Sequence, residues 1–374
     1  MEQTAVEKKF GKYVMASMIT MFLQSAYSMI DGLFVSNLIG DTALSAVNVA
    51  WPVIAVVTAI GTGVGCGGAV MMSTKQGEGK NEESNIVRAN VILALLASSI
   101  VVTILFLILL TPLLKLMGAE GELLRLSQIY GRVMLTGGVL QILSCGLTPL
   151  LRNDNRAVSA MMIMVGGLFV NLGLDFVFMY VFHMGIGGAA GASLCAQLFT
   201  TLCCLMILCT KKTDPIRLSQ FMIRKEYWKK IFKTAVSPFG ISLTPSLLIL
   251  YHNVACLKFG GDLAVNAYAL ISSTVGSYRV LLIGVAEGIQ PLASYAYGAH
   301  DFHAIRKIRN KAVITAMSVS FFLFIFTIAT ARFYPAIYGY EREAAELGYH
   351  AVMVTAAQLI FTGLVRVTNS FFYS

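Results

Sequence analysis

Long uninterrupted runs of apolar residues dominate the chain and determine its predicted secondary structure. Residues 91–110 and 312–331 are typical, because neither run contains a charged side chain. A membrane-spanning helix needs about 20 mostly apolar residues, since the hydrocarbon layer is about 30 Å thick and each residue rises about 1.5 Å. Strands of a membrane barrel alternate apolar and polar residues instead. The pattern therefore predicts membrane-spanning helices.

About ten such spans are predicted, and they make the fold class an all-α polytopic membrane protein. Charged residues make up 13% of the 374-residue chain, against about 25% in a typical soluble domain. This composition excludes a single soluble core. The predicted limits are 14–36, 48–72, 88–112, 128–150, 158–182, 187–209, 236–258, 264–290, 312–334 and 347–367.

The basic residues predict the orientation of these spans. If the N-terminus is placed inside, 21 of the 28 lysines and arginines fall in segments on the cytoplasmic side and six fall outside. An excess of positive charge on the cytoplasmic side is the usual determinant of topology. We therefore expect a multi-pass protein of the cytoplasmic membrane with its N-terminus inside. The net charge of +9 is read as this topology signal, and no nucleic-acid partner is expected.

An internal repeat relates the two halves of the chain. With a shift of 221 residues, Gly40-Asp41 falls on Gly261-Asp262, and Gly63-Val64 falls on Gly284-Val285. Repeated halves of this kind are typical of secondary transporters. The predicted organisation is an N-terminal lobe of six helices at 1–210, a cytoplasmic linker at 211–233, and a C-terminal lobe at 234–374. The second lobe has about four helices and lacks counterparts of the fifth and sixth spans.

Three stretches carry a family resemblance. The first span contains Tyr27-Ser-Met-Ile-Asp-Gly-Leu-Phe-Val35, the fifth contains Asn171-Leu-Gly-Leu-Asp175, and the eighth leads through Gly284-Val-Ala-Glu-Gly-Ile-Gln-Pro-Leu-Ala-Ser-Tyr-Ala-Tyr-Gly-Ala299. In this order they resemble the multidrug and toxic compound extrusion (MATE) family, in its DinF/MepA-like branch. The resemblance implies two six-helix lobes in a V-shaped pair, of which about ten helices are present here. It also implies export driven by a proton or sodium gradient.

Polar side chains inside the first lobe are the main candidates for ion coupling and substrate binding. A carboxylate at the bilayer centre costs several kcal/mol, about 2.5–3.5 on insertion scales, unless it is paired, hydrated or protonated. Asp31 lies in such a position, and Asn171 and Asp175 share one face of the fifth span because they are four residues apart. The candidate set, which has interhelical hydrogen bonding as its alternative role, is Asp31, Asn171, Asp175, Gln24, Tyr27, Gln141 and Gln197.

The second lobe offers a different set of candidates. Arg279 and Glu287 are eight residues apart on roughly one helix face. They either form an internal ion pair or contact the substrate. Gln290 adds polarity to the same span, and His252 occupies the repeat position of Asp31. A lone histidine is more often a hydrogen-bonding core residue than a titrating one.

Cofactor, metal and enzyme signatures are not found. The run Gly63-Val-Gly-Cys-Gly-Gly68 matches a dinucleotide-binding pattern, but that pattern needs a preceding strand in a soluble unit. Here it sits in an apolar helix, where small residues allow close packing. The seven cysteines have no zinc spacing, and the five histidines are scattered. We expect no cofactor and no metal, with H⁺ or Na⁺ as the coupling ion.

The function that fits these observations is cation-coupled antiport of small amphipathic, often cationic compounds by a secondary active multidrug exporter. A lipid-linked saccharide flippase of related architecture is the alternative within transport, and a membrane-embedded enzyme is less favoured. The expected partners are drug-like small molecules and membrane lipids, and the expected state is a monomer. The eight basic residues of the 211–233 segment either bind lipid head groups or only fix orientation, and the second is favoured.

The orientation can be tested by cysteine labelling. In a background without native cysteines, a Gln220→Cys variant should not react with an impermeant maleimide added outside intact cells, because the positive charge of its segment places it inside. Efficient labelling from outside would overturn the predicted topology. A cysteine at Lys115, in a segment predicted to be external, is the matched positive control.

Overall fold

The computed structural model describes residues 3–210, 220–337 and 342–374, and these are helical almost throughout. The described residues contain no strand, which agrees with the predicted all-α class. The helices are α1 (Gln3–Leu38), α2 (Asp41–Gly77), α3 (Asn81–Leu116), α4 (Gly121–Thr136), α5 (Gly138–Leu151), α6 (Ala157–Asp175), α7 (Gly185–Cys209), α8 (Lys225–Gly298), α9 (Phe302–Thr330), α10 (Phe333–Ile337) and α11 (Arg342–Tyr373).

Two short π-helical segments, Arg152–Arg156 and Phe176–Val181, extend α5 and α6. Every predicted span falls on a helix or on two consecutive helices. Seven of the described helical segments are long and apolar enough to cross a membrane, and one of these, Gly138–Val181, covers two predicted spans. The number of ten spans therefore stays a prediction, whereas the polytopic helical class is confirmed.

The backbone breaks follow the internal repeat. Gly40 separates α1 from α2 with a φ of 117°, and Gly261 interrupts α8 with a φ of 61°. Glycine adopts positive φ without a steric penalty, so it is suited to both breaks. Gly79 and His300, again 221 residues apart, both have positive φ in the following turns. The repeat predicted from the sequence is therefore present in the helix boundaries.

The chain forms two compact units, which are described separately. The first-lobe unit comprises residues 26–243 and 298–300, and the second-lobe unit comprises residues 1–25, 244–297 and 301–374. These groupings differ from the predicted lobe limits because α1 and α8 each contribute to both units. Residues 225–233, which the sequence assigned to a linker, form the first turns of α8. Residues 211–219 lie outside the described part of the chain.

In the first-lobe unit, α2 packs against α3, α4 and α5. Glycines permit the closest of these approaches: a Cβ atom on Gly65 would lie 2.4 Å from Gly146 Cα, and one on Gly61 would lie 2.7 Å from the Ile142 carbonyl oxygen. Both distances are too short for a real side chain. The glycine run around Gly65 therefore serves helix packing, in keeping with its apolar surroundings.

The second-lobe unit is built on α8, α9 and α11. Its largest core joins Val285 and Ile289 of α8 to Ile308 of α9 and Val367 of α11, and Val14 of α1 packs into the same cluster. Farther along, the Tyr278 and Tyr334 hydroxyl groups are 2.8 Å apart. The core cluster joins α8 to α9 and α11, and the tyrosine contact links α8 to α10.

A Gly65→Ala substitution tests the α2–α5 contact. It should lower the free energy of unfolding by about 1–3 kcal/mol, because overpacking moves the backbone of one helix away from the other. Gly173→Ala is the matched control, since a Cβ atom there meets nothing within 4 Å. Thermal unfolding in detergent, followed with a thiol-reactive dye, is the measurement. Equal midpoints for the two variants would contradict the close contact.

Candidate functional site

Asn171 and Asp175 form the centre of the candidate site in the first-lobe unit. They lie one turn apart on α6, and Asn171 Nδ2 donates a hydrogen bond to Asp175 Oδ2 over 3.1 Å. The Asp175 side chain is fully buried, and Asn171 is 5% exposed. Immediately after Asp175, the α-helix gives way to the π-helical segment Phe176–Val181. Segments of this kind are frequent at functional sites.

Asp31 brings a second carboxyl group to the same place. Its half-buried side chain on α1 lies within hydrogen-bonding reach of the side chain of Asp175. An ionised carboxylate only accepts hydrogen bonds, whereas a protonated one can donate. A hydrogen bond between two carboxyl groups therefore requires one proton held by the pair. The structure brings together the three residues that carried the sequence prediction for this lobe.

The pair retains acceptor capacity. Considering only the part of the chain that the structure describes, Asp31 Oδ1 and Asp175 Oδ1 are buried and accept no hydrogen bond from any other residue. Buried polar atoms are nearly always satisfied by protein or by ordered water. These two oxygens are therefore positioned to accept from water or to bind a small cation.

Tyr130 is a residue of this site that the sequence reasoning missed. It lies on α4, is 5% exposed, and is close enough to Asp31 and Asp175 for their charges to act on it. No local sequence pattern indicated it, because α4 ends at Thr136 and the helical spacing does not continue from Tyr130 to Gln141.

The two glutamines of this lobe are placed differently from the carboxyl pair. Gln141 is fully buried on α5, and its Nε2 atom donates to the Met134 carbonyl oxygen across the break at Gly137. Its amide thus bridges α4 and α5. Gln197 is half-buried on α7. Between described residues, no hydrogen bond links either side chain to Asp31 or Asp175.

The structure does not test the two remaining first-lobe candidates. Gln24 is exposed and belongs to the second-lobe unit, although it lies on the same helix as Asp31. The side chain of Tyr27 lies outside the described residues. Their predicted roles therefore stay predictions.

The structure leaves the roles of the second-lobe candidates as predictions. Arg279 and Glu287 both lie on α8, about 12 Å apart along the helix axis. Gln290 is buried, and its Nε2 atom lies 3.5 Å from Ser294 Oγ. His252 is exposed, with Nδ1 2.7 Å from the Leu248 carbonyl oxygen and its ring stacked on Tyr268. Within the described ranges, no three metal-binding side chains converge.

A buried ionic cluster lies in segments predicted to face the cytoplasm. Arg88 on α3 and Asp154 in the turn after α5 are 1% and 2% exposed, and Arg88 Nη1 is 3.4 Å from Asp154 Oδ2. Gln76 Nε2 donates to Asp154 Oδ1 over 3.0 Å, and Arg88 also donates to Asn85 Oδ1. The cluster ties α2 and α3 to the turn between α5 and α6.

Comparison with known proteins decides the family. The sequence profile of the MatE family matches residues 16–177 and 241–374. The chain belongs to this family. The MATE resemblance carried by the three sequence stretches is thereby confirmed.

Individual relatives are distant but match along most of their length. The multidrug export protein MepA of Staphylococcus aureus is 24% identical over 98% of this chain and 83% of its own. MepA of Staphylococcus saprophyticus is 22% identical with the same coverage. A solved outward-facing structure of a multidrug resistance MATE family transporter of the MOP superfamily has a TM-score of 0.92 and 25% identity, covering 98% of this chain and 82% of that one.

Membership of the MATE family makes the chain a membrane transporter. The prediction that it is not an enzyme is confirmed by these relatives, and so is the predicted fold class. The coupling ion and the roles of individual residues are separate questions, which depend on the site itself.

The Arg88–Asp154 pair should be critical for stability. Asp154→Asn should lower the free energy of unfolding by about 3–5 kcal/mol, because the Arg88 guanidinium stays buried without its counter-charge. Glu122→Gln is the control. It breaks a pair with Arg125 in which both side chains are more than half exposed, and such pairs contribute little. Detergent-phase thermal unfolding measures both variants, and a wild-type midpoint for Asp154→Asn would contradict the role of the buried pair.

Proposed function

We propose that this MATE-family chain exports small amphipathic, often cationic compounds in exchange for a cation. The proposal places it in the cytoplasmic membrane as a monomer with its N-terminus inside. The curated relatives carry the name multidrug export protein, which supports export of drug-like molecules over the alternative of a lipid-linked saccharide flippase.

The observation that carries the coupling proposal is the proximity of the Asp31 and Asp175 carboxyl groups, which lie within hydrogen-bonding reach of each other. We infer that the pair holds one proton in this arrangement, because two ionised carboxylates at such a site repel each other. Loss of that proton leaves two like charges in a low-dielectric interior, where repulsion is several times stronger than in water. The pair must then separate, hydrate or bind a cation.

Separation of the pair gives coupling a structural route. Asp31 is carried by α1 and Asp175 by α6, so a change in their distance displaces one helix against the other. An ion drives a conformational equilibrium only by binding the two states with different affinity. Asn171 stabilises either state, because its amide can donate to a carboxylate and accept from a carboxylic acid.

Protons are the favoured coupling ion, since two adjacent buried carboxyl groups favour a state in which they share a proton. Sodium is the alternative, because carboxylate and amide oxygens are hard ligands. The buried Oδ1 atoms of Asp31 and Asp175 are compatible with either ion. A test of coupling must therefore impose the two gradients separately.

Asp31→Asn should abolish gradient-driven export while leaving the protein folded. An amide carries no charge, so loss of a proton from Asp175 no longer leaves two like charges, and the repulsion that separates the pair is absent. The measurement is efflux of a fluorescent cationic dye from proteoliposomes after a pH jump and, separately, after a sodium jump. Glu122→Gln is the matched control and should export at the wild-type rate. Wild-type export by a folded Asp31→Asn and Asp175→Asn double variant would remove the pair from the mechanism.

A further inference from the structure

The interior of the second-lobe unit has an excess of positive charge. The predicted spans 264–290, 312–334 and 347–367 contain one acidic residue, Glu287, and three arginines, Arg279, Arg332 and Arg366. Arg332 is exposed, with its guanidinium 5.9 Å from the centre of the Tyr349 ring. Arg279 and Arg366 are half-buried, so they define the interior charge.

The packing of α8 against α11 places these two arginines at neighbouring levels. Ser370 Oγ of α11 donates to the Ala286 carbonyl oxygen of α8 over 2.8 Å. Eleven residues earlier on each helix, Leu359 and Val275 belong to one apolar cluster. Residue numbers therefore rise together along the contact, and the two helices run parallel.

Parallel packing brings Arg366 between Arg279 and Glu287. Arg366 is one turn before Ser370, so it lies level with residue 282 of α8. Arg279 precedes residue 282 by three residues, which is about 4.5 Å along the helix axis. Glu287 follows it by five residues, which is about 7.5 Å. Arg366 interacts electrostatically with both residues.

Both arginines also lie on the facing sides of their helices. Arg366 shares a face with Ser370, because four residues separate them. Arg279 is seven residues before Ala286, almost two full turns, so it lies on the side of α8 that Ser370 contacts. The two guanidinium groups therefore project toward one seam between α8 and α11.

Charge balance in this seam is incomplete. Arginine remains protonated in proteins, and charge in a low-dielectric interior is costly unless it is compensated. Two guanidinium groups face the single carboxylate of Glu287. Among the ion pairs of the described residues, none includes Arg279 or Arg366.

We propose that Arg279 and Arg366 form a binding site for an oxyanion, a carboxylate or phosphate carried by an amphipathic molecule. The guanidinium group presents a planar fork of donors that matches these anions in two-point hydrogen bonds. Glu287 is the internal carboxylate that competes with such an anion.

This inference goes beyond the proposed export of cationic compounds and is independent of it. The occupant is either a soluble amphipathic anion or the head group of an anionic lipid. Both present the same chemistry to the arginines, so the experiment separates the two sources.

The test is binding of dansylated undecanoate, a fluorescent carboxylate, to the protein in phosphatidylcholine nanodiscs. The wild type should bind it more tightly than its uncharged methyl ester. The Arg279→Gln and Arg366→Gln double variant should bind it roughly 10- to 100-fold more weakly, as expected for the loss of charge-assisted hydrogen bonds. Arg332→Gln is the matched control and should bind like the wild type.

A second variant keeps the test decisive if the double variant does not fold. Glu287→Gln removes the competing carboxylate without touching either arginine, so the probe should bind more tightly. If added phosphatidylglycerol displaces the probe and a soluble carboxylate such as octanoate does not, the occupant is a lipid. If octanoate displaces the probe and phosphatidylglycerol does not, the occupant is a soluble anion. Equal affinity of the wild type for carboxylate and ester, or unchanged affinity in Glu287→Gln, overturns the site. No gradient is needed, so this result is separate from any failure of coupled export.

Discussion

Charge inside an apolar bundle must be neutralised, paired or hydrated, and this constraint governs every buried ionisable group described in the chain. In the proposed mechanism, the Asp31–Asp175 pair meets it by sharing a proton. Arg88 meets it with Asp154 as counter-ion. The proton of the carboxyl pair can be exchanged. The Asp154 carboxylate beside Arg88 is a fixed part of the protein. Only the first arrangement is suited to an ion cycle.

Hydropathy and spacing predict much of the fold. Apolar runs place every predicted span on helix, and the 221-residue repeat identifies the pair of breaks at Gly40 and Gly261. These features are local, since helix formation and glycine geometry depend on neighbouring residues. The start of α8 at Lys225 was missed because its many lysines masked an amphipathic pattern in which Trp228 and Ile231 share a face.

The candidate site was predictable only where polarity itself was the anomaly. Asp31 and Asp175 stand out because carboxylates are rare in spans. Tyr130 does not, since tyrosine is common at membrane interfaces and its burial depends on distant helices. Asp154 is similar: its partner Arg88 is 66 residues away, and nothing in the local sequence specifies that pairing. For Gln141, the sequence indicated a polar group but not its bond to the Met134 backbone.

The repeated backbone supports different chemistry in its two halves. The turn glycine Gly79 has His300 as its counterpart with the same sign of φ, whereas Asp31 has His252 at the equivalent repeat position. The two halves share the positions of their helix boundaries, whereas their buried charged residues differ. The first-lobe unit has an acidic pair, and the second-lobe unit has Arg279 and Arg366 with one carboxylate.

The glycine contact between α2 and α5 has a consequence for hydration. At Gly61 and Gly65 the two backbones are too close for even a methyl group, and atoms in direct contact leave no space for a water molecule between them. Water therefore does not pass through this stretch of the α2–α5 contact. Water that wets the carboxyl pair must arrive between other helices of the first-lobe unit. Gly61 and Gly65 thus exclude water from this contact. Two uncharged residues restrict the directions from which water can reach the Asp31–Asp175 pair.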